Sequence, residues 1–394
     1  MNSSDGRIQS QLDAIPADDN WGVEAANLLI ASAAEAGCSD LHVLCHRTEV
    51  LTRGRRDGTL FSLGKIPVER RELLLARFKV LAHLPSFVRH EPQDGRIEWQ
   101  TQPDAPPRLL RVSFLPTIHG ENLVVRFPES GERLLRLDSL GMPPEVRSAV
   151  ESLLLRPEGT ILLTGPSSSG KTTTMYAMIQ HLRERRGERL NVLTIEDPVE
   201  RDLGFAGQVQ VNEAQGLTFD RALRAALRQD PNVLMIGEIR DAETARIAIQ
   251  AGMTGHLVIT TLHAGRASRV FTRLLSIGLE PYLIASALSG AVAQRLARLL
   301  CPDCRVPDKG ASGYSAAGCE KCGHTGYRGR VGIFEIAVVN EPLRELILSR
   351  AIPEKIAHEV ERLQTCNLVE SGRRLVDVGE ISRAEFEFLL SGEE

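Results

Sequence analysis

From Leu140 onward the apolar residues gather in short runs, Ile161–Leu163, Val192–Ile195, Val233–Ile236 and Leu257–Thr261, each bounded by polar or turn residues. Stretches of helical period separate them. That alternation predicts a mostly parallel sheet covered by helices on both faces. Beyond Ile333 the pattern reads as helical to the end. Residues 22–128 mix the two periods: helices over Ala25 to Ala36 and Leu73 to Leu84, strands at Leu41–Leu44, Arg111–Phe114 and Leu123–Arg126, and a hairpin turn at Arg56-Asp57-Gly58-Thr59. A small α/β domain is expected there. Residues 1–21 carry no periodic pattern and read as a polar lead. The polar stretch 129–139 breaks the pattern and reads as a linker. Residues 140–394 then form the second domain, with 333–394 as its helical C-terminal part.

A length of 394 residues allows two or three domains, and 42% hydrophobic with 25% charged residues is ordinary for globular protein. The net charge of −4 gives no support to a nucleic-acid binder held by bulk positive charge. No apolar stretch approaches the roughly 20 residues of a membrane-spanning helix, and the N-terminus lacks the pattern of a signal peptide. The expectation is a cytosolic protein that works against a membrane and not through it. The odd total of seven cysteines argues against a disulfide framework. Cys38, Cys45 and Cys366 read as small buried hydrophobes.

The chemistry begins at Gly165-Pro166-Ser167-Ser168-Ser169-Gly170-Lys171-Thr172, which fits the phosphate-cradling pattern G-x-x-x-x-G-K-[ST]. An apolar run precedes it and a helical segment follows, so the loop's N–H groups and the new helix's N-terminus can address one anion. Lys171 is the only lysine between Lys79 and Lys309 in an arginine-rich chain. A compact ammonium is wanted at that position. The segment predicts a nucleoside-triphosphate site formed by Gly165 to Thr173.

In an open α/β sheet, ligands bind beyond the carboxyl ends of the strands. The second run ends in Glu196-Asp197-Pro198-Val199-Glu200, either oxygen ligands for Mg²⁺ and its waters or a solvated acidic turn. The third ends in Gly237-Glu238, and Glu238 is the candidate to orient or deprotonate an attacking water. The fourth lies between His256 and His263. These either read a γ-phosphate or a neighbouring subunit, or merely cap the strand. Cys301-x-x-Cys304 and Cys319-x-x-Cys322, fourteen residues apart, have the spacing of a closed Cys₄ site and predict a structural Zn²⁺ within residues 297–332.

The order of Gly165–Thr172, Glu196–Glu200, Gly237–Asp241 and Thr254–Val258, together with Leu223–Pro231, resembles the secretion superfamily ATPases, the hexameric motors of type II secretion and type IV pilus assembly. The resemblance implies a RecA-like P-loop domain behind a small PAS-like α/β domain, with Mg²⁺-dependent ATP hydrolysis by a homohexamer. It implies a motor peripheral at the inner membrane, acting on a platform protein and associated assembly components to drive pilin or pseudopilin assembly. Lys171 and Thr172 would hold phosphate and Mg²⁺, Glu238 would be the catalytic carboxylate, Glu196 would help place metal or water, and His263 would respond to the γ-phosphate. Two arginines flanking a V-S-x-x-P-x-x-x-G-E segment match Arg111 and Arg126 and would reach the phosphates. Assembly motors carry the cysteine module and retraction motors generally lack it, which favours extrusion or secretion. The rivals are a retraction or conjugation-type motor and a nucleotide-binding regulator with little turnover. Three departures stand out. Ser168 replaces a usual glycine, His263-Ala264-Gly265-Arg266 replaces His-Thr-Asn-Asp, and from the length the usual further N-terminal docking domain is not expected.

Overall fold

The computed structural model describes residues 3–100, 108–127, 136–308, 313–363 and 366–391, so residues 129–135 of the expected linker lie outside the described residues. Two compact units result. One is Met1–Ser130 with Cys301–Arg305 and Ala316–Gly329, the other Gly131–Leu300 with Val306–Ser315 and Arg330–Glu394.

The first unit is a six-stranded antiparallel sheet. Its strands are β1 (Asp40–Cys45), β2 (Glu49–Arg56), β3 (Thr59–Pro67), β4 (Gln93–Trp99), β5 (Arg108–Thr117) and β6 (Gly120–Arg126), in the order β3-β2-β1-β6-β5-β4. The turn expected at Arg56–Thr59 is present, with Asp57 and Gly58 both at positive φ, as tight two-residue hairpins require. Alternate residues Leu41, Val43, Ile97, Val112, Phe114, Leu123 and Val125 share one core. Residues 1–21 were expected to be a loose polar lead; instead Ser3–Asp13 forms helix α1. The physical reason is a pairing that no local period reveals. The Gln9 side-chain amide accepts from the Lys65 N–H (2.7 Å) and donates to the Lys65 carbonyl (3.1 Å) on β3, while Leu12 is buried. Helices α2 (Trp21–Glu35) and α3 (Arg71–Leu81) cover the core with Leu29, Ile30, Leu74 and Phe78.

The second unit holds a seven-stranded sheet of β7 (Gly159–Thr164), β8 (Val192–Glu196), β9 (Gly207–Gln210), β10 (Val233–Ile236), β11 (Leu257–Leu262), β12 (Leu288–Leu300) and, after a short ribbon of β13 (Arg305–Pro307) and β14 (Tyr314–Ala316), β15 (Tyr327–Val338). The order is β15-β12-β7-β11-β10-β8-β9, and the pairs from β12 to β9 are parallel. Period-two alternation divides the strands between two cores. Leu162, Leu234 and Val258 face one, and Ile161, Leu163, Val233, Met235, Leu257 and Ile259 face the other. Helices α4 (Pro144–Leu154) and α5 (Lys171–Arg186) cover the second. The first is covered by α6 (Phe219–Ala226), α7 (Ala242–Ala251), α8 (Ala267–Ser276), α9 (Pro281–Ala287) and the C-terminal helices α10 (Glu341–Leu348), α11 (Pro353–Leu363), α12 (Leu368–Asp377) and α13 (Arg383–Leu390). Residues 333–338 were expected to be helical and are strand. Ile333, Phe334, Ile336 and Ala337 are all buried, and a continuously buried run does not show its period. No described helix is long and apolar enough to cross a membrane.

One charged pair lies inside the first unit. Lys79, 1% exposed, donates to both Glu121 carboxylate oxygens at 2.7 and 2.8 Å. Replacing Lys79 by Met leaves a buried carboxylate unpaired and is expected to destabilise this unit by about 3–5 kcal/mol. Both tryptophans, Trp21 and Trp99, lie in this unit, so urea unfolding followed by intrinsic fluorescence reads the loss directly.

Candidate active site

Strand register brings the predicted groups to one edge. β7 and β11 pair from Gly159↔Leu257 to Thr164↔Leu262, so Gly165 and His263 leave the sheet side by side. Ile236 of β10 pairs with Thr260 and with Ile195 of β8, which places Gly237-Glu238 and Glu196 at the same edge. On the other side Ala293 of β12 pairs with Thr164, setting Gln294 beside Gly165. His256 lies at the opposite end of β11. Its Nδ1 is 3.2 Å from the Ala251 carbonyl, so there the capping reading holds.

The loop from Gly165 to Gly170 turns sharply between β7 and α5. Gly165 has φ +149°, Gly170 +84° and Ser168 +61°. The last lies in the left-handed region, which serine enters only at a cost and which a glycine enters freely. A Cβ on Gly165 would stand 2.3 Å from the Gln294 carbonyl oxygen, so only glycine fits against β12 there. Gln294 is buried and ties the loop down. Its Nε2 donates to the Ser169 carbonyl (2.6 Å), and its Oε1 accepts from Thr174 Oγ1 (2.8 Å). Lys171 is the first residue of α5, followed by Thr172 and Thr173, and its ammonium donates to the carbonyls of Gly165 (3.0 Å) and Pro166 (2.8 Å). Two of its three N–H donors are thereby used, leaving one for an anion. Burial lowers the Lys171 pKa; Glu238 opposes the shift and Arg295, next to Gln294, adds to it. The Ser169 hydroxyl is buried and has no partner among the described residues, which fits an incoming hydrogen-bonding ligand.

Glu238 and His263 face each other across the edge, with His263 Nε2 3.8 Å from Glu238 Oε2. The other carboxylate oxygen of Glu238 accepts from Arg240 Nε at 2.5 Å, and Arg240 Nη2 pairs with Asp197 at 3.1 Å. Arg240 thus links the acidic segment after β8 to the carboxylate after β10. Glu196 is set deeper, 2% exposed. Its carboxylate accepts from Tyr176 of α5, from Thr194 (2.6 Å) and from Gln208 of β9 (3.0 Å). Burial and the Glu196 carboxylate together push the Tyr176 pKa upward, so the phenol stays a donor. The altered segment after His263 is held by the Ala264 N–H donating to Thr164 Oγ1 at 2.9 Å.

In the first unit, Arg111 and Arg126 stand directly opposite each other on β5 and β6. The four cysteines come together there too, their sulfurs all within 4.8 Å of one another. Sequence analysis placed 297–332 in the second domain, but Cys301–Arg305 and Ala316–Gly329 pack with Met1–Ser130. The β2–β3 turn makes the attachment: Arg56 donates to the Cys322 carbonyl (2.8 Å), and Asp57 accepts from the Gly329 N–H (2.9 Å). The Cys322 thiol is brought down to about 6. Burial opposes that shift, and the N–H groups of Cys319 and Gly326 on its sulfur overcome it. Gln294, Arg295, Tyr176 and Gln208 were not anticipated as site residues. Only Tyr176 had a sequence signal, its place in the helix after the loop; the strands β9 and β12 that carry the other three were not predicted.

A family model described as type II/IV secretion system protein matches residues 17–387. The type II secretion system ATPase E of Vibrio cholerae is 44% identical over 349 residues, covering 85% of this chain and 68% of that protein. The type IV pilus assembly ATPase PilB of Myxococcus xanthus is 38% identical over 380 residues, 92% of this chain and 66% of that protein. In fold, the chain is similar to the Legionella pneumophila ATPase DotB, with a TM-score of 0.71 over 93% of this chain and 95% of that one at 20% identity.

The hydrogen bonds of Gln294 generate a prediction. Gln294→Leu strips the Ser169 carbonyl and the Thr174 hydroxyl of their partner. About a tenfold loss of affinity for a fluorescent ATP analogue is expected, the equivalent of one lost hydrogen bond. Titration against the wild type measures it, and unchanged affinity would show that the loop holds its shape unaided.

Proposed function

The chain belongs to the type II/IV secretion system protein family and is an ATPase motor for secretion or pilus assembly, and we propose that it runs as a Mg²⁺-dependent homohexameric ring peripheral to the cytoplasmic face of the inner membrane. Its work is to displace a membrane platform protein and so drive pilin or pseudopilin assembly. The observation that carries this reading is the convergence of Lys171, Glu238 and His263 at one sheet edge, fixed by strand pairing.

In this mechanism the N–H groups of the Gly165–Gly170 loop, the N-terminus of α5 and the Lys171 ammonium hold the ATP phosphates. The Thr172 hydroxyl would be a ligand to Mg²⁺, which would supply neutralisation of phosphate charge. Glu238, partly exposed and held at one oxygen by Arg240, orients the attacking water and accepts its proton through the other. His263, on the same edge, reads the γ-phosphate. Glu196 acts from behind the site. Its three internal hydrogen bonds keep α5 in step with β8 and β9, so its service to metal or water is indirect. Arg111 and Arg126 of another subunit neutralise the transition-state charge, which couples hydrolysis to motion between domains. Nucleic acid has no part in this mechanism.

The cysteine cluster suits zinc. A tetrahedron with Zn–S bonds of about 2.3 Å sets its sulfurs about 3.8 Å apart. Here Cys304 and Cys322, and likewise Cys319 and Cys322, are 3.8 Å apart, and Cys301 and Cys319 are 3.9 Å apart. Four thiolates leave no open position, so a bound zinc would be structural. Such a module favours assembly or secretion over retraction.

Two measurements test the reading. Glu238→Gln is expected to bind ATP within about threefold of wild type and to lose about 10²–10⁴ in kcat; a variant that turns over normally would remove Glu238 from the chemistry. Metal analysis of purified protein is expected to find one zinc per chain, absent from the Cys319→Ser/Cys322→Ser double variant.

A further inference from the structure

One line across the first sheet carries an unusual density of charge. Arg96 pairs with Arg111, Arg111 with Arg126, Arg126 with Asp40, and Asp40 with Arg55. Directly paired residues share a face. Their strand neighbours Ile97, Val112, Val125, Leu41 and Gly54 are turned to the buried side, so the line lies on the face away from that core. Four guanidiniums stand in this row with a single carboxylate. Like charges placed directly opposite repel, and Asp40 is the one member that offsets them.

Asp40 does more than balance charge. Its side chain is 7% exposed, whereas that of Arg126 is 65% exposed. Asp40 Oδ1 accepts from Arg126 Nε at 2.9 Å, and Asp40 Oδ2 accepts from Ser39 Oγ at 2.9 Å with Arg55 Nε 4.0 Å away. The carboxylate is therefore fixed from below and grips Arg126 at the inner nitrogen of its guanidinium. The side chain stays 65% exposed, and the four N–H donors of its terminal nitrogens are not the ones Asp40 holds. A long flexible side chain is thus ordered during folding, before any phosphate is met, and so its rotamer freedom is not lost at the chemical step.

We propose that Asp40 is a positioning residue for hydrolysis, holding Arg126 extended with its terminal nitrogens presented to a triphosphate. The inference rests on the phosphate role assigned to Arg126 above. Asp40→Asn preserves shape while removing the charge that grips Nε. In steady-state ATP hydrolysis by the full chain, Arg126→Ala is expected to lose about a hundredfold or more in kcat. Asp40→Asn should lose about tenfold in kcat with KM for ATP unchanged within about threefold, and the double variant should be no slower than Arg126→Ala alone. That non-additivity is the signature of action through Arg126. A merely structural Asp40 would instead lower the unfolding midpoint and multiply the losses. Wild-type turnover in Arg126→Ala would overturn the underlying role of Arg126. Impaired Arg126→Ala beside an unaffected Asp40→Asn, or losses that multiply, would overturn the positioning role alone. Should Asp40→Asn fail to fold, Arg126→Lys carries the same test. One ammonium cannot both rest on Asp40 and reach outward, so its turnover should match Arg126→Ala, and wild-type turnover would overturn the proposal.

Discussion

Parallel pairing of β7 with β11 and β12 is the constraint on which the rest of the second unit depends. Parallel strands all end at one edge, and each connection must return over a face of the sheet. Once Thr164 is set against Leu262 and Ala293, the phosphate loop, His263 and Gln294 are neighbours without further instruction. Pairing of β10 with β11 and β8 then adds Glu238 and Glu196 to the same rim. A slip of one residue in any pair would turn its side chains to the wrong core. The two cores, one on each face of the sheet, hold the register.

Buried polar contacts then fix what the register only brings close. A buried carboxylate or amide is costly unless its hydrogen bonds are met. Glu196 meets them with Tyr176, Thr194 and Gln208, and so joins α5 to β8 and β9. Gln294 meets them with Ser169 and Thr174 and so joins β12 to the loop. Each group holds together elements that converge on the Lys171 end of α5. Glu238 is arranged differently. It is partly exposed, held at one oxygen by Arg240, and its other oxygen faces His263.

The four strand runs and the glycine–lysine loop were legible because their signals are local: apolar period, Gly-Lys-Thr spacing and flanking turns. The cysteine pairs were legible for the same reason, but the unit they join was not, since it is decided by Arg56 and Asp57 more than 260 residues away in the chain. β12 went unread because Leu288-Ser289-Gly290-Ala291-Val292-Ala293-Gln294-Arg295 has little β-branched or aromatic character. Gln294 was missed with it. The end of β15, residues 333–338, was read as the start of a helix because burial on both sides removes the period. The clasp of Asp40 on Arg126 spans 86 positions and is visible only once β1 and β6 are paired. Local motifs were therefore readable in the sequence, while their supports, which are set by pairing, were not.

In the proposed mechanism a complete site takes its phosphate loop from one copy of the chain and its arginines from another. Mixing two inactive variants tests this most directly, Lys171→Ala with an empty loop and Arg126→Ala with an intact one. ATP hydrolysis that reappears when the two are mixed, and grows as subunits exchange, is the predicted result. Turnover that stays at the level of the separate variants, with mixed assemblies shown to form, would mean that each chain supplies its own arginines, and the shared-site account would be wrong.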